Sequence, residues 1–215
     1  MDSSIITEVP TLPFSNHQTF IINFNRTRIA TTVTSTPSVV RKWLRTTLCH
    51  RRRILHHLVV GLGVQWLPGY RTSPAATLQL CVGRRCLIFQ LLHSDSVPNL
   101  LRRFLLNPRN TFVGLWNHSD ADKLLNSKHA LGMFREPLDL RQHAFSKVTG
   151  RSLVQASRET IVEEYLGIRG VRFDDQIGRS EWDNKDLSSM QVLQACVDSY
   201  ISFLIGKDLK AWEIS

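Results

Sequence analysis

Three apolar runs in the first half of the chain, VVGLGVQWLP (59–68), ATLQLCV (76–82) and CLIFQLL (86–92), constrain the fold most. The strand expected over Leu58 to Val64 and the two runs that follow it are apolar and strand-length, and Gly83-Arg84-Arg85 joins the last two as a turn. Three successive strands of this kind make a meander, which starts a mixed sheet and requires helices to cover its faces.

The flanking sequence supplies those helices. Residues 1–18, with Pro10 and Pro13, read as a flexible N-terminal leader, and residues 19–215 as one domain; 42% hydrophobic and 21% charged residues in 215 suit a single soluble core. FIINFNRTRIATTV (20–33) alternates as a strand or hairpin, interrupted at Asn-Arg. Thr36 and Pro37 supply the cap and first-turn proline of a helix with Val40, Trp43, Leu44 and Leu48 at helical spacing. A short amphipathic helix over Val97 to Leu106, a buried strand over Thr111 to Leu115 and a helix opening near Asp120 come next. Helical spacing then recurs in DLRQHAFSKV, SLVQASRETIVEEYLG and LSSMQVLQACVDSYISFLIGKDL, which predicts a mainly helical second half.

Charge divides the chain unevenly. Of a net +9, residues 1–110 carry 14 Lys/Arg against 3 Asp/Glu, and the remainder 13 against 15. Such a basic half suits a polyanion, with Arg51, Arg52, Arg53, Arg84 and Arg85 as the nucleic-acid-binding candidates. Solubilising charge is the plainer alternative. Cys49, Cys81, Cys86 and Cys196 lack zinc-site spacing, although Cys81 and Cys86 would face one another across a hairpin turn. No secretory signal and no membrane-length apolar run is present in the sequence, so an intracellular protein, cytoplasmic or nuclear, is expected.

VVGLGVQWLP, TFVGLWNHSDADKLL and GRSEWDNKDLSSMQVLQACVDSYISF, in this order, resemble the three motifs of the DEDD (DnaQ-like) 3′-to-5′ exonucleases. The likeness is to the Werner and ribonuclease D branch, and the connecting strands are similar to plant members, including the RISC-interacting clearing exoribonucleases. It covers roughly residues 30–210. The resemblance implies a ribonuclease H-like α/β fold, a mixed sheet flanked by helices. It also implies two Mg²⁺ or Mn²⁺ ions about 4 Å apart, held chiefly by carboxylates, and a ring-shaped homohexamer as one possible assembly.

Carried over position by position, the family's first-strand Asp falls on Gly63 and its Glu on Gln65. The second-motif Asp falls on Asp120, the last Asp on Asp198, and the water-orienting Tyr on Gln194. Two carboxylates of four are kept, so the catalytic candidates are Asp120 and Asp198, and the same two are weak candidates for metal ligands. The expectation is an exonuclease-fold protein that binds single-stranded nucleic acid, needs no cofactor and has lost metal-dependent cleavage or keeps it only very weakly. The alternatives are an active exonuclease using Mg²⁺ or Mn²⁺, and a protein-interaction or scaffold subunit without nucleic acid. On structural grounds alone Asp120 is a helix-start residue, Asp198 touches solvent in an emptied cleft, and Trp182 is a packing anchor.

Overall fold

The computed structural model describes residues 5–9, 15–52, 57–67 and 73–214. Its centre is the expected meander: β4 (Leu58–Trp66), β5 (Ala75–Val82) and β6 (Arg85–Gln90) pair antiparallel in sequence. Gly83, at φ +64°, takes the left-handed conformation that this tight turn demands. The hairpin register sets Cys81 opposite Cys86.

The alternating stretch near the N-terminus is a hairpin of β2 (Gln18–Phe24) and β3 (Thr27–Thr34). Asn25 and Arg26 both have positive φ there, the geometry of a two-residue hairpin turn. β3 joins β6 in parallel, and β1 (Ile5–Val9), within the stretch read as a leader, pairs antiparallel with β2 at the sheet edge. On the other side β7 (Asn110–Gly114) runs parallel to β4, and the two-residue β8 (Leu138–Asp139) runs parallel to β7. The resulting eight-stranded mixed sheet has the order β1-β2-β3-β6-β5-β4-β7-β8.

Helices cover both faces. On one, α1 (Pro37–His50) and α2 (Asn99–Leu105) bury Val40, Trp43, Leu44, Leu101 and Phe104 against Leu62, Leu78, Leu80 and Phe89. On the other lies α6 (Ser189–Asp208), started by a full capping box between Ser188 and Gln191. Because side chains alternate along β4, Val60, Leu62 and Val64 join the first core while Gly61 and Gly63 turn towards α6. The glycines on this second face have a steric origin. A Cβ at Gly61 would collide with the Ser199 carbonyl oxygen of α6 and sit 2.8 Å from the Phe203 nitrogen; one at Gly206 would sit 2.8 Å from Val113. Helix and sheet approach so closely that only glycine fits.

The second half is less helical than its spacing predicts. α3 (Asp120–Leu125), α4 (Arg158–Leu166) and α5 (Asp175–Gly178) are short, and DLRQHAFSKV forms β8, one 3₁₀ turn and irregular chain. Leu140, Ala144 and Leu153 are all buried, so the apolar spacing is satisfied without a helix. Asp139 caps the 3₁₀ turn by accepting from the Arg141 amide, and a lone bridge between Phe145 and Ser152 closes a loop around Gly150, at φ +71°. Trp182 is 1% exposed and donates from Nε1 to the Gly178 carbonyl at 3.2 Å, as a packing anchor does.

Candidate functional site

The C-terminal end of β4 carries Gly63 and Gln65 to where α3 and α6 pack against the strand. Two of the sequence candidates meet there. Asp120 opens α3 and is buried, and Asp198 lies midway along α6 with its side chain 13% exposed. They lie close enough to interact as like charges, and Asp139 adds to the repulsion. Burial first, and then the neighbouring carboxylates, push the Asp120 pKa well above the usual carboxylate range, while Arg158 opposes the shift. Burial likewise raises Asp198 against the pull of Arg158.

Two arginines that the sequence reading did not single out neutralise this cluster. Arg158, at the start of α4, places its Nε 3.5 Å from Asp198 Oδ1. Asp198, read from the sequence as touching solvent, keeps that 13% exposure and is faced by a guanidinium as well. Arg141 binds Asp139 through Nε, 3.1 Å from each carboxylate oxygen, and through Nη2 at 2.6 Å, a fork-to-carboxylate pair. Both guanidiniums lie over the Trp116 ring, at 4.5 and 5.7 Å from its centroid. Trp116 itself has φ +53°, unusual for a bulky residue and strained, where the chain turns from β7 into α3. Three carboxylates thus face two fixed cations, a balance nearly complete without any bound ion.

The remaining motif positions, Gly63, Gln65 and Gln194, carry no carboxylate and no hydroxyl. Gln79 projects from β5 directly opposite Gly63 and is 1% exposed; its Oε1 lies 2.8 Å from where a Cβ on Gly63 would be. Its Nε2 donates to Thr77 Oγ1 at 2.6 Å, and its Oε1 has no hydrogen-bond partner. Gln194 is engaged elsewhere: its Oε1 accepts from the Asp174 amide at 2.9 Å and its Nε2 donates to the Asp174 carbonyl at 3.1 Å. This two-point clamp holds the entry to α5, so the side chain at the tyrosine position has no hydroxyl and no free amide. Gln65 sits half-buried where the β4–β5 register slips. Among the described residues no group of three or more His, Cys, Asp or Glu side chains is arranged to hold a metal ion. The residues present do not fit a two-metal centre.

The basic candidates separate. Arg51 and Arg84 line one cavity on the α6 side, whereas Arg85 points to the opposite face, donates to Thr47 Oγ1 at 3.2 Å and lies over Trp43. Arg52 is exposed, and Arg53 lies outside the described residues. Adjacent arginines on a strand and its turn cannot serve one surface.

No family model matches the chain. Over 190 residues it is 25% identical to a protein of Acanthamoeba polyphaga mimivirus that bears the name of a 3′-5′ exonuclease, covering 83% of this chain and 45% of that one. It is 27% identical over 160 residues to a 3′-5′ exonuclease of Arabidopsis thaliana, covering 70% and 52%. The fold superposes on Escherichia coli RNase D, an exoribonuclease involved in structured RNA processing, with a TM-score of 0.62 and 18% identity over 84% of this chain and 44% of that one. The chain is thus similar in sequence to 3′-to-5′ exonucleases and shares its fold with RNase D. It spans about half the length of the viral and plant relatives. Of the motif positions, Asp120 and Asp198 are the two that the fold brings close together. Gln79, Asp139, Arg141 and Arg158 were invisible to motif reading because they lie outside all three motifs.

Proposed function

We propose that this exonuclease-fold protein binds single-stranded nucleic acid and does not cleave it. The observation that carries the reading is the Arg158–Asp198 ion pair: a guanidinium faces a carboxylate that a divalent ion would need. Two metal ions bring four positive charges, and a carboxylate cluster already balanced by Arg141 and Arg158 cannot compensate them. Gly63 contributes no ligand, and the Gln79 amide lies in front of it. What Asp120 does here is open α3; what Arg158 and Arg141 do is fix Trp116 beside it. The basic first half supplies the polyanion-facing charge. A homo-oligomer is the assembly that the plant resemblance suggests.

The test is digestion of an end-labelled single-stranded oligonucleotide with Mg²⁺ and Mn²⁺, beside calorimetry with Mn²⁺ alone. No shortening and no heat of Mn²⁺ binding are expected. Metal-dependent degradation that Asp120→Asn and Asp198→Asn both abolish would establish an active exonuclease instead.

A further inference from the structure

At the other end of β4, away from the carboxylate cluster, a cavity of about 580 Å³ opens beside Leu58 and Val59. That volume lies within the range of small-ligand sites. Its wall is aromatic: Tyr200 and Phe203, two rings of α6 stacked at 6.4 Å, and Trp212 just beyond the helix. Its rim is cationic, with Arg51 following α1, Arg84 in the β5–β6 turn and Lys207 in the last turn of α6. No carboxylate is among the described lining residues, and among the described residues none of these three cations makes an ion pair.

The rim is built rather than incidental. The Arg51 guanidinium lies against Gly83 so closely that any Cβ there would collide with it, so the glycine of the turn both permits the positive φ and seats the arginine. Tyr200 packs edge-on against Phe24 at 6.0 Å, which fixes the floor. Planar apolar rings under a ring of cations match one chemistry: a heterocyclic base stacked on aromatics with its phosphate at the rim. We infer that the cavity between β4, the β5–β6 turn and the end of α6 binds one nucleotide unit, base inward and phosphate on Arg51, Arg84 and Lys207. The site deepens the nucleic-acid reading and rests on it for the polymer, yet its chemistry is independent of the carboxylate cluster.

The experiment is calorimetric titration of the whole protein with adenosine 5′-monophosphate, with ribose 5-phosphate and with inorganic phosphate, read in parallel by tryptophan fluorescence. AMP is expected to bind and quench emission, and to bind roughly tenfold or more tightly than ribose 5-phosphate because the base stacks. Arg84→Glu with Lys207→Glu, both exposed positions, should weaken AMP at least tenfold, whereas Asp120→Asn with Asp198→Asn should leave it unchanged. Trp212→Phe should retain binding and Trp212→Ala lose it; a far-ultraviolet spectrum matching wild type guards the second result against misfolding. Equal affinity for AMP and phosphate, or AMP binding untouched by Arg84→Glu with Lys207→Glu, overturns the assignment. If AMP fails while an oligonucleotide still binds, the cavity inference falls and the proposed function stands; if AMP binds while oligonucleotides do not, the reverse holds.

Discussion

Asp120 is a carboxylate whose surroundings favour its proton. Burial, Asp198 and Asp139 raise its pKa, and only Arg158 opposes them, Arg141 being committed to Asp139. A folded-state value above the unfolded one means that the unfolded chain ionises first as pH rises, so stability falls from the usual carboxylate range up through the raised value. Asp120→Asn removes that loss. Urea unfolding across a pH series should show the variant more stable than wild type at neutral pH, the gain closing as pH falls below the ordinary carboxylate range. A variant less stable at neutral pH would contradict the assignment. Arg158 acts in the opposite sense: Arg158→Met leaves Asp198 without its cation and should cost on the order of 1–3 kcal/mol at neutral pH, less in acid, because the pair is only partly buried. None of this was legible in sequence, since Arg158 and Asp198 lie 40 positions apart and meet only after α4 and α6 pack. The motif reading located Asp120 and Asp198 but not their partners.

Two glycines on one face of β4 make a sharper test of how the elements fit. At Gly63 a new Cβ meets the far end of a flexible amide, Gln79 Oε1, which can swing away; at Gly61 it meets helix backbone, which cannot. Gly63→Ala should therefore change stability little, whereas Gly61→Ala should lose about 1–3 kcal/mol or more, as overpacking does. Thermal melts of the two variants decide it, and equal losses would mean that α6 is not seated on Gly61. The same geometry bears on rebuilding a catalytic centre. Gly63→Asp, Gln65→Glu and Gln194→Tyr together should still give no metal-dependent cleavage, because Arg158 still faces Asp198 and the Asp174 clamp is lost. Adding Gln79→Ser and Arg158→Ser is the change expected to admit Mn²⁺, read by calorimetry. Strands β2 to β7, α1 and α6 were legible because turn residues, alternation and helical spacing agree with their packing. The stretch after β8 was not, because its buried apolar residues are pinned by a cap, a bridge and a turn rather than by helical hydrogen bonds.

Across the whole molecule, the basic first half and the C-terminal helix are brought to one end of the sheet by folding, where Arg51, Arg84 and Lys207 meet. Binding of a single-stranded oligonucleotide should weaken steeply with salt, and Arg84→Glu with Lys207→Glu should flatten the log–log slope by roughly 1–2 units. Fluorescence anisotropy at several salt concentrations measures it; a slope that does not move would place the phosphate contacts elsewhere. Among the described residues no helix is long and apolar enough to cross a membrane. The close seat of α6 on Gly61 and Gly206 has a mechanical side as well. Asp198 and Lys207 are nine residues apart on one helix, about 13 Å along its axis. With backbone pressed on backbone at Gly61, that helix is a keyed shaft: it cannot roll or slip by a residue without driving a side chain into the slot. A load applied to its Lys207 end would therefore arrive at Asp198 as displacement of the whole rod, and the Arg158 contact would be its gauge.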